Sequence, residues 1–265
     1  MSITQTEGIV LNRYAMGDSS LLVTVFTRAF GKIKLVAKGA RKSRTQRSSA
    51  LEPFTHVSVS FRRKENRDLQ ILNQVEIVTS YRYIGDDLVR MSYAGAVSEL
   101  VNRLVIGEEP SDGLFNLLLD VLTSLNNAAS EAGALIFWSF QLRFAAIFGY
   151  PPHMDNCVSC NHESHVGEAF FSAAMGGMIC RQCKSQDPGA FLVFPGSVRL
   201  LAGLQSLPMS RVARFRTSTE SSREIRRVIR SFFAYHMEDT GDYKSLKFLD
   251  SINQVSGEPV KPTSV

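Results

Sequence analysis

The sequence predicts an α+β chain: an N-terminal barrel of five short strands, then an all-α domain that carries a small four-cysteine insert. Three observations carry this reading. Residues 7–83 divide into five β-branched runs, and from Asp86 onward the apolar spacing becomes helical. All four cysteines of the chain stand in two CxxC pairs inside the helical half. The expected boundaries are a barrel over 1–83 and a helical domain over 84–254 with its insert at 153–187. A polar, proline-containing tail at 255–265 is expected to be disordered.

The strands come first. EGIVLNRY, LLVTVFTR, KIKLVAKG, HVSVSFRR and LQILNQVEIV alternate partially with period two and are separated by Gly17-Asp18-Ser19, Phe30-Gly31 and the connection from Arg41 to Pro53. The short break at Phe30-Gly31 predicts a hairpin, and the longer basic connection predicts a loop after the third strand. Five strands in fewer than about 80 residues are too few for a sandwich and suit a closed barrel of the OB type, with an SH3-like barrel as the competitor. Either would present cations on its open face and loops.

Val89, Tyr93, Ala96, Val97, Leu100 and Val101 then recur at helical spacing, with Asp86 and Asp87 placed to favour the helix N-terminus. A second helix is expected from Leu114 to about Ala128 and a third from Glu131 to Gly149. The third is apolar on nearly every side, which places it in the middle of a bundle. Arg143 is its exception; it either snorkels to the surface or receives a partner's carboxylate, and it is the candidate partner-binding residue. A short helix is expected at Ser197 to Leu207, and a final pair at Glu220 to Asp239 and Lys244 to Asn253. In the first of that pair Arg223, Arg226, Arg227 and Arg230 fall at i, i+3, i+4 and i+7, one positive face opposite Ile225, Val228, Ile229, Phe232 and Phe233.

Between these helices stand Cys157-Val158-Ser159-Cys160 and Cys180-Arg181-Gln182-Cys183, nineteen residues apart. Each CxxC offers two sulfurs on one tight turn, and two such turns make a closed tetrahedral site for one structural Zn2+. Four protein ligands leave no open position for catalysis. A redox CxxC needs one pair in a βαβ setting, which is missing here. His162 and His165 lie between the pairs and are possible substitute ligands.

Of 265 residues, 44% are hydrophobic and the mean hydropathy is −0.03, values of a soluble globular protein. The sequence contains no run of about 18 apolar residues, and its start lacks the pattern of a secretory signal, so a cytoplasmic protein that does not enter membranes is expected. GARKSR is not a phosphate-binding P-loop, Gly176-Gly177 reads as a turn, and neither GxSxG nor HExxH occurs. The carboxylate pairs Asp86-Asp87 and Glu108-Glu109 sit at opposite ends of one helix and do not gather as a metal-dependent nuclease requires. No enzyme is expected.

The charge is local. Lys32, Lys34, Lys38, Arg41, Lys42, Arg44 and Arg47 place seven cations in sixteen residues with no carboxylate, whereas the whole chain nets only +5, so the remainder sums to about −2. Such crowding repels itself unless an anion is received, and a phosphate backbone is the expected guest. Arg223, Arg226, Arg227 and Arg230 form a second candidate DNA-binding surface. Tyr14, Phe26, Phe30 and Phe54 could stack bases, although barrel aromatics are more often core. The competing function is a non-enzymatic adaptor whose basic loop binds an acidic protein.

These residues add up to a resemblance. EGIVLNRYAMGDSSLLVTVFTRAFGKIKLVAKGARKSRTQRSSALEPF, FQLRFAAIFGYPPHMDNCVSC, GGMICRQC and HMEDTGDYKSLKFLD resemble, in order and over nearly the whole chain, the bacterial RecO family of recombination mediators. The resemblance implies an OB barrel, a helical domain and a zinc-stapled insert. It further implies DNA repair in the RecF pathway without nucleotide hydrolysis: binding of single- and double-stranded DNA, annealing of complementary strands and, with RecR, loading of RecA onto DNA covered by single-stranded-DNA-binding protein. Family barrels carry basic residues at the positions of Lys38, Arg41, Lys42, Arg44 and Arg47, and the helical domain receives the acidic, hydrophobic-ended tail of the single-strand binder. A cytoplasmic, nucleoid-associated protein is implied.

Overall fold

In the computed structural model, residues 3–41, 46–64, 67–162, 168–239 and 241–255 are described, the side chains of 46 and 253–255 excepted. Five strands, β1 (Ile3–Met16), β2 (Ser20–Thr27), β3 (Gly31–Ala37), β4 (His56–Arg62) and β5 (Leu69–Thr79), close into a barrel in the order β1-β2-β3-β5-β4. The β3/β5 pair is parallel and the others are antiparallel. An SH3-like meander would leave β3 beside β4. Here the chain leaves β3, forms the short helix α1 (Gln46–Ala50) and re-enters on the far side of β5, the path of an OB barrel. Alternation supplies the core, with Val23, Val25, Leu35, Val57, Val59 and Phe61 all at 1% exposure or less, and Ala50 and Leu51 join the same cluster.

The β2–β3 connection is the hairpin expected at Phe30-Gly31. Gly31 has φ +61°, and an added Cβ would strike the main chain of Glu109, so two constraints select glycine there. After β5 come the single turn α2 (Arg82–Gly85), then α3 (Leu88–Leu104) and α4 (Asp112–Asn127). Asp86, expected at the start of α3, instead closes α2, its amide donating to the Arg82 carbonyl.

The chain folds as two compact units, residues 1–87 with 97–126, and residues 88–96 with 127–265. The barrel's unit therefore reaches beyond the strands to include α4. The reason is an apolar row on the barrel's outer wall: Phe26, fully buried, stacks on Phe115 at 6.4 Å, and Arg28 lies over the Phe115 ring while its Nη1 meets Asp112 at 3.0 Å.

In the second unit α5 (Gly133–Ile147) is the all-apolar helix the sequence predicts and contacts α6 (Pro195–Ser206), α7 (Met209–Val212) and α8 (Thr219–His236); α9 (Lys244–Val255) completes the helices. Two buried polar side chains of α5 are satisfied: Ser139 Oγ donates to the Leu204 carbonyl at 2.6 Å, and Gln141 Nε2 donates to the Tyr243 hydroxyl at 3.2 Å, which in turn donates to Asp239 at 2.7 Å. The insert is a small antiparallel sheet, β6 (Ala169–Ser172), β7 (Gly177–Cys180) and β8 (Phe191–Val193), in the order β7-β6-β8. Among the described residues no helix is long and apolar enough to cross a membrane.

Candidate nucleic-acid interface and metal centre

Alternation along β3 decides the fate of the first cations. Ile33, Leu35 and Ala37 face the core, so Lys32 and Lys34 stand on the outer wall. Lys32 is not available there: its Nζ donates to the Asn102 carbonyl at 2.7 Å, and desolvation, aided by the Lys34 charge, holds its pKa below the usual lysine value. Arg47 is likewise engaged, half-buried on α1 with Nη2 donating to the Leu72 carbonyl at 3.1 Å. The two ends of the basic stretch thus serve the fold, which single-residue charge counting cannot reveal. Lys34, Lys38 and Arg41 are exposed. Arg41 Nη1 donates to the Gly17 carbonyl at 2.9 Å, fixing the side chain beside the β1–β2 turn. Lys42 and Arg44 lie outside the described residues.

The four aromatic candidates separate cleanly. Phe26 is buried, Phe30 packs edge-on to Phe61 at 5.7 Å beneath Arg63, and Phe54 is half-buried in a left-handed turn with φ 70°. Tyr14 is 61% exposed.

The sulfurs of Cys157, Cys160, Cys180 and Cys183 lie within 4.8 Å of one another, and Cys160 and Cys180 Sγ are 3.7 Å apart. Tetrahedral Zn–S bonds of about 2.3 Å require sulfurs about 3.8 Å apart, so the four thiols are close enough to hold one ion and their chemistry fits zinc. The first turn is tied to the sheet by the Val158 amide, which donates to the Met178 carbonyl at 2.9 Å. Burial raises the Cys157 thiol, but amides of Cys160, Cys180 and Ser159 outweigh it and bring it down to about 6. The Ser159 hydroxyl favours the Cys183 thiolate, yet burial and the three neighbouring sulfurs push that thiol up to about 12. Crowded sulfurs that oppose one another's ionisation are what a dication relieves. His162 is exposed and contributes its main-chain carbonyl, which accepts from the Cys157 amide at 2.7 Å; His165 lies outside the described residues.

Helix α8 divides the stripe expected on it. Arg223 and Arg230 are exposed, Arg227 lies 3.8 Å over the Phe191 ring of the insert, and Arg226 is half-buried with its pKa lowered by desolvation. Arg226 and Arg230 border a groove that the sequence did not disclose, floored by Tyr93, Phe137, Trp138 and Phe233 and closed by Lys247 and Asp250 of α9. Its linear signal is the recurrence of cations on two successive helices, Arg226 and Arg230 on α8 and Lys247 on α9. Arg143 does not reach this groove: its Nη2 donates to the Leu207 carbonyl at the end of α6.

Comparison with known proteins follows the same division. Residues 1–81 match the family model described as Recombination protein O N terminal, and residues 85–247 match Recombination protein O C terminal. The chain is similar to "DNA repair protein RecO" of Pelotomaculum thermopropionicum and of Bacillus subtilis, each 32% identical with 96% of both chains covered. The protein of the same description from Anaeromyxobacter dehalogenans is 31% identical over 97% of this chain and all of its own.

Proposed function

This chain belongs to the RecO family of DNA repair proteins, and from that premise we propose that it is a non-enzymatic recombination mediator that binds single- and double-stranded DNA and anneals complementary strands without ATP. One observation carries the reading: Lys34, Lys38 and Arg41 stand exposed on one barrel, and among the described residues none of the three is in an ion pair with a carboxylate. Two strands brought together repel through their phosphates. A surface that neutralises several phosphates while leaving base edges free lowers that repulsion and lets pairing proceed. Lys42 and Arg44 add two cations to the same stretch of sequence, and if five phosphates are met, single-strand affinity should fall with salt at a log–log slope of about −3.5. Fluorescence-monitored annealing of complementary oligonucleotides across a salt series tests this; acceleration without nucleotide, lost as salt rises, is expected, and no acceleration at any salt refutes it.

The same proposal assigns the remaining parts. One zinc ion held by Cys157, Cys160, Cys180 and Cys183 staples the insert and takes no part in chemistry. RecR is the partner with which the protein loads RecA onto strands coated by the single-stranded-DNA-binding protein, in the cytoplasm and at the nucleoid. The acidic, hydrophobic-ended tail of that binder enters the groove of α5, α8 and α9, supported by its aromatic floor and by Arg226, Arg230 and Lys247 at its rim. Arg230→Glu should weaken a fluorescent tail peptide about tenfold, the scale of one charge-assisted hydrogen bond. Unchanged peptide affinity would move the tail elsewhere.

A further inference from the structure

The outer wall of the barrel carries an arrangement that phosphate binding does not require. Strand register aligns Tyr14 with Leu22, Leu22 with Val36, and Val36 with Ile71. Four apolar side chains from four adjacent strands therefore form one transverse row about 14 Å long, three interstrand spacings of about 4.8 Å. None belongs to the barrel core, whose members on β2 and β3 are Leu21, Val23 and Val25, and Ile33, Leu35 and Ala37. Tyr14 is 61% and Ile71 39% exposed, and Leu22 and Val36 are half-buried between them.

Tyr14 owes its position to a β-bulge. The β1–β2 register shifts between Val10 and Asn12; without the extra residue Tyr14 would pair with Leu21 and point into the core. A bulge that turns an aromatic ring out into water has no packing benefit, and bulges of this kind commonly re-aim a side chain next to a binding site.

Cations flank the row. Lys34 is exposed and sits one row away on β3, paired with Thr24 on one side and Leu69 on the other. Lys38 follows β3, and Arg41 borders the open recess of about 260 Å3 that Tyr14 and Arg13 also line. An apolar row edged by positive charge on one side of a sheet matches a ligand with flat apolar faces and a regular anionic spine. A duplex offers such a sheet only phosphates, because its bases are stacked inside. A single strand offers both.

We propose that this row is a base-stacking platform that makes the barrel discriminate single-stranded from double-stranded nucleic acid, with Tyr14 as the stacking residue and Lys34, Lys38 and Arg41 as the phosphate rail. The proposal rests on the DNA-binding function above and adds to it which strand state the barrel prefers and why. Phosphate contacts serve both strand states; the row serves one.

The test compares Tyr14→Ala, Tyr14→Phe and wild type for binding to an oligothymidine and to a hairpin duplex of equal phosphate number at one salt concentration. Loss of a stacked ring should lower single-strand affinity at least fivefold, and duplex affinity should stay within twofold. Tyr14→Phe should behave as wild type on both, since the ring face and not the hydroxyl makes the contact. As a second readout, Tyr14→Trp should show fluorescence quenching on oligothymidine and none on duplex, against wild type as the control for Trp138. Equal losses on both ligands, or no loss on either, overturn the platform. A wild-type protein that binds neither ligand would refute the DNA-binding function itself, a separate result.

Discussion

Replacing Cys180 with serine is expected to abolish metal binding and unfold the insert while the barrel keeps its structure. The basis is the size of the cluster: Cys157, Ile179, Cys180, Cys183 and Ala190 are its buried members, with Val158, Phe170 and Met175 partly buried against them. A core of that size does not stabilise three strands of three or four residues unaided. A structural zinc ion contributes on the order of 10 kcal/mol to the folding of such a site, so its loss exceeds what the remaining contacts supply. Metal analysis after dialysis should give one zinc per wild-type chain and near zero for Cys180→Ser. Limited proteolysis should then cut between residues 155 and 190, with the barrel intact. Oligonucleotide affinity should stay within a few-fold of wild type, because the cations invoked for DNA stand on the barrel. A variant that keeps stoichiometric zinc would show that the four sulfurs are not the ligand set.

Much of this was legible in the sequence, for physical reasons. The five strands announced themselves because one face of each is buried, and the four-cysteine cluster because two CxxC turns state both ligand and spacing. Arg227 shows the limit. Helical periodicity placed it correctly on a charged face, but the periodicity of one element is blind to what another lays against it, here the Phe191 ring. Lys32 and Arg47 failed as free cations for the same reason, since the carbonyls of Asn102 and Leu72 that they meet are distant in the chain. The sheet of the insert went unpredicted because strands as short as Phe191–Val193 carry too little pattern to read. Tyr14 needed the register: only the bulge before Asn12 determines which side of the barrel it faces.

Charge reversal of Lys34, Lys38 and Arg41 together is expected to produce the largest functional loss. Three phosphate contacts, each giving about 0.7 log units per decade of salt, amount to about a hundredfold in single-strand affinity at 0.1 M salt, before any repulsion from the new carboxylates is added. Stability should change little. Lys34 and Lys38 are exposed, and Arg41 gives up one hydrogen bond to a turn carbonyl. Annealing should fall in parallel with binding if both rest on phosphate coverage, and a variant that anneals normally while binding weakly would separate the two.

The most direct measurement is the salt dependence itself, taken on wild type and on the neutral triple variant Lys34→Gln, Lys38→Gln, Arg41→Gln with one oligonucleotide. The slope of log affinity against log salt should flatten from about −3.5 to about −1.4, the share left to the two remaining cations of the basic stretch. An unchanged slope would mean that the phosphates are held elsewhere and that this barrel face is not the nucleic-acid interface.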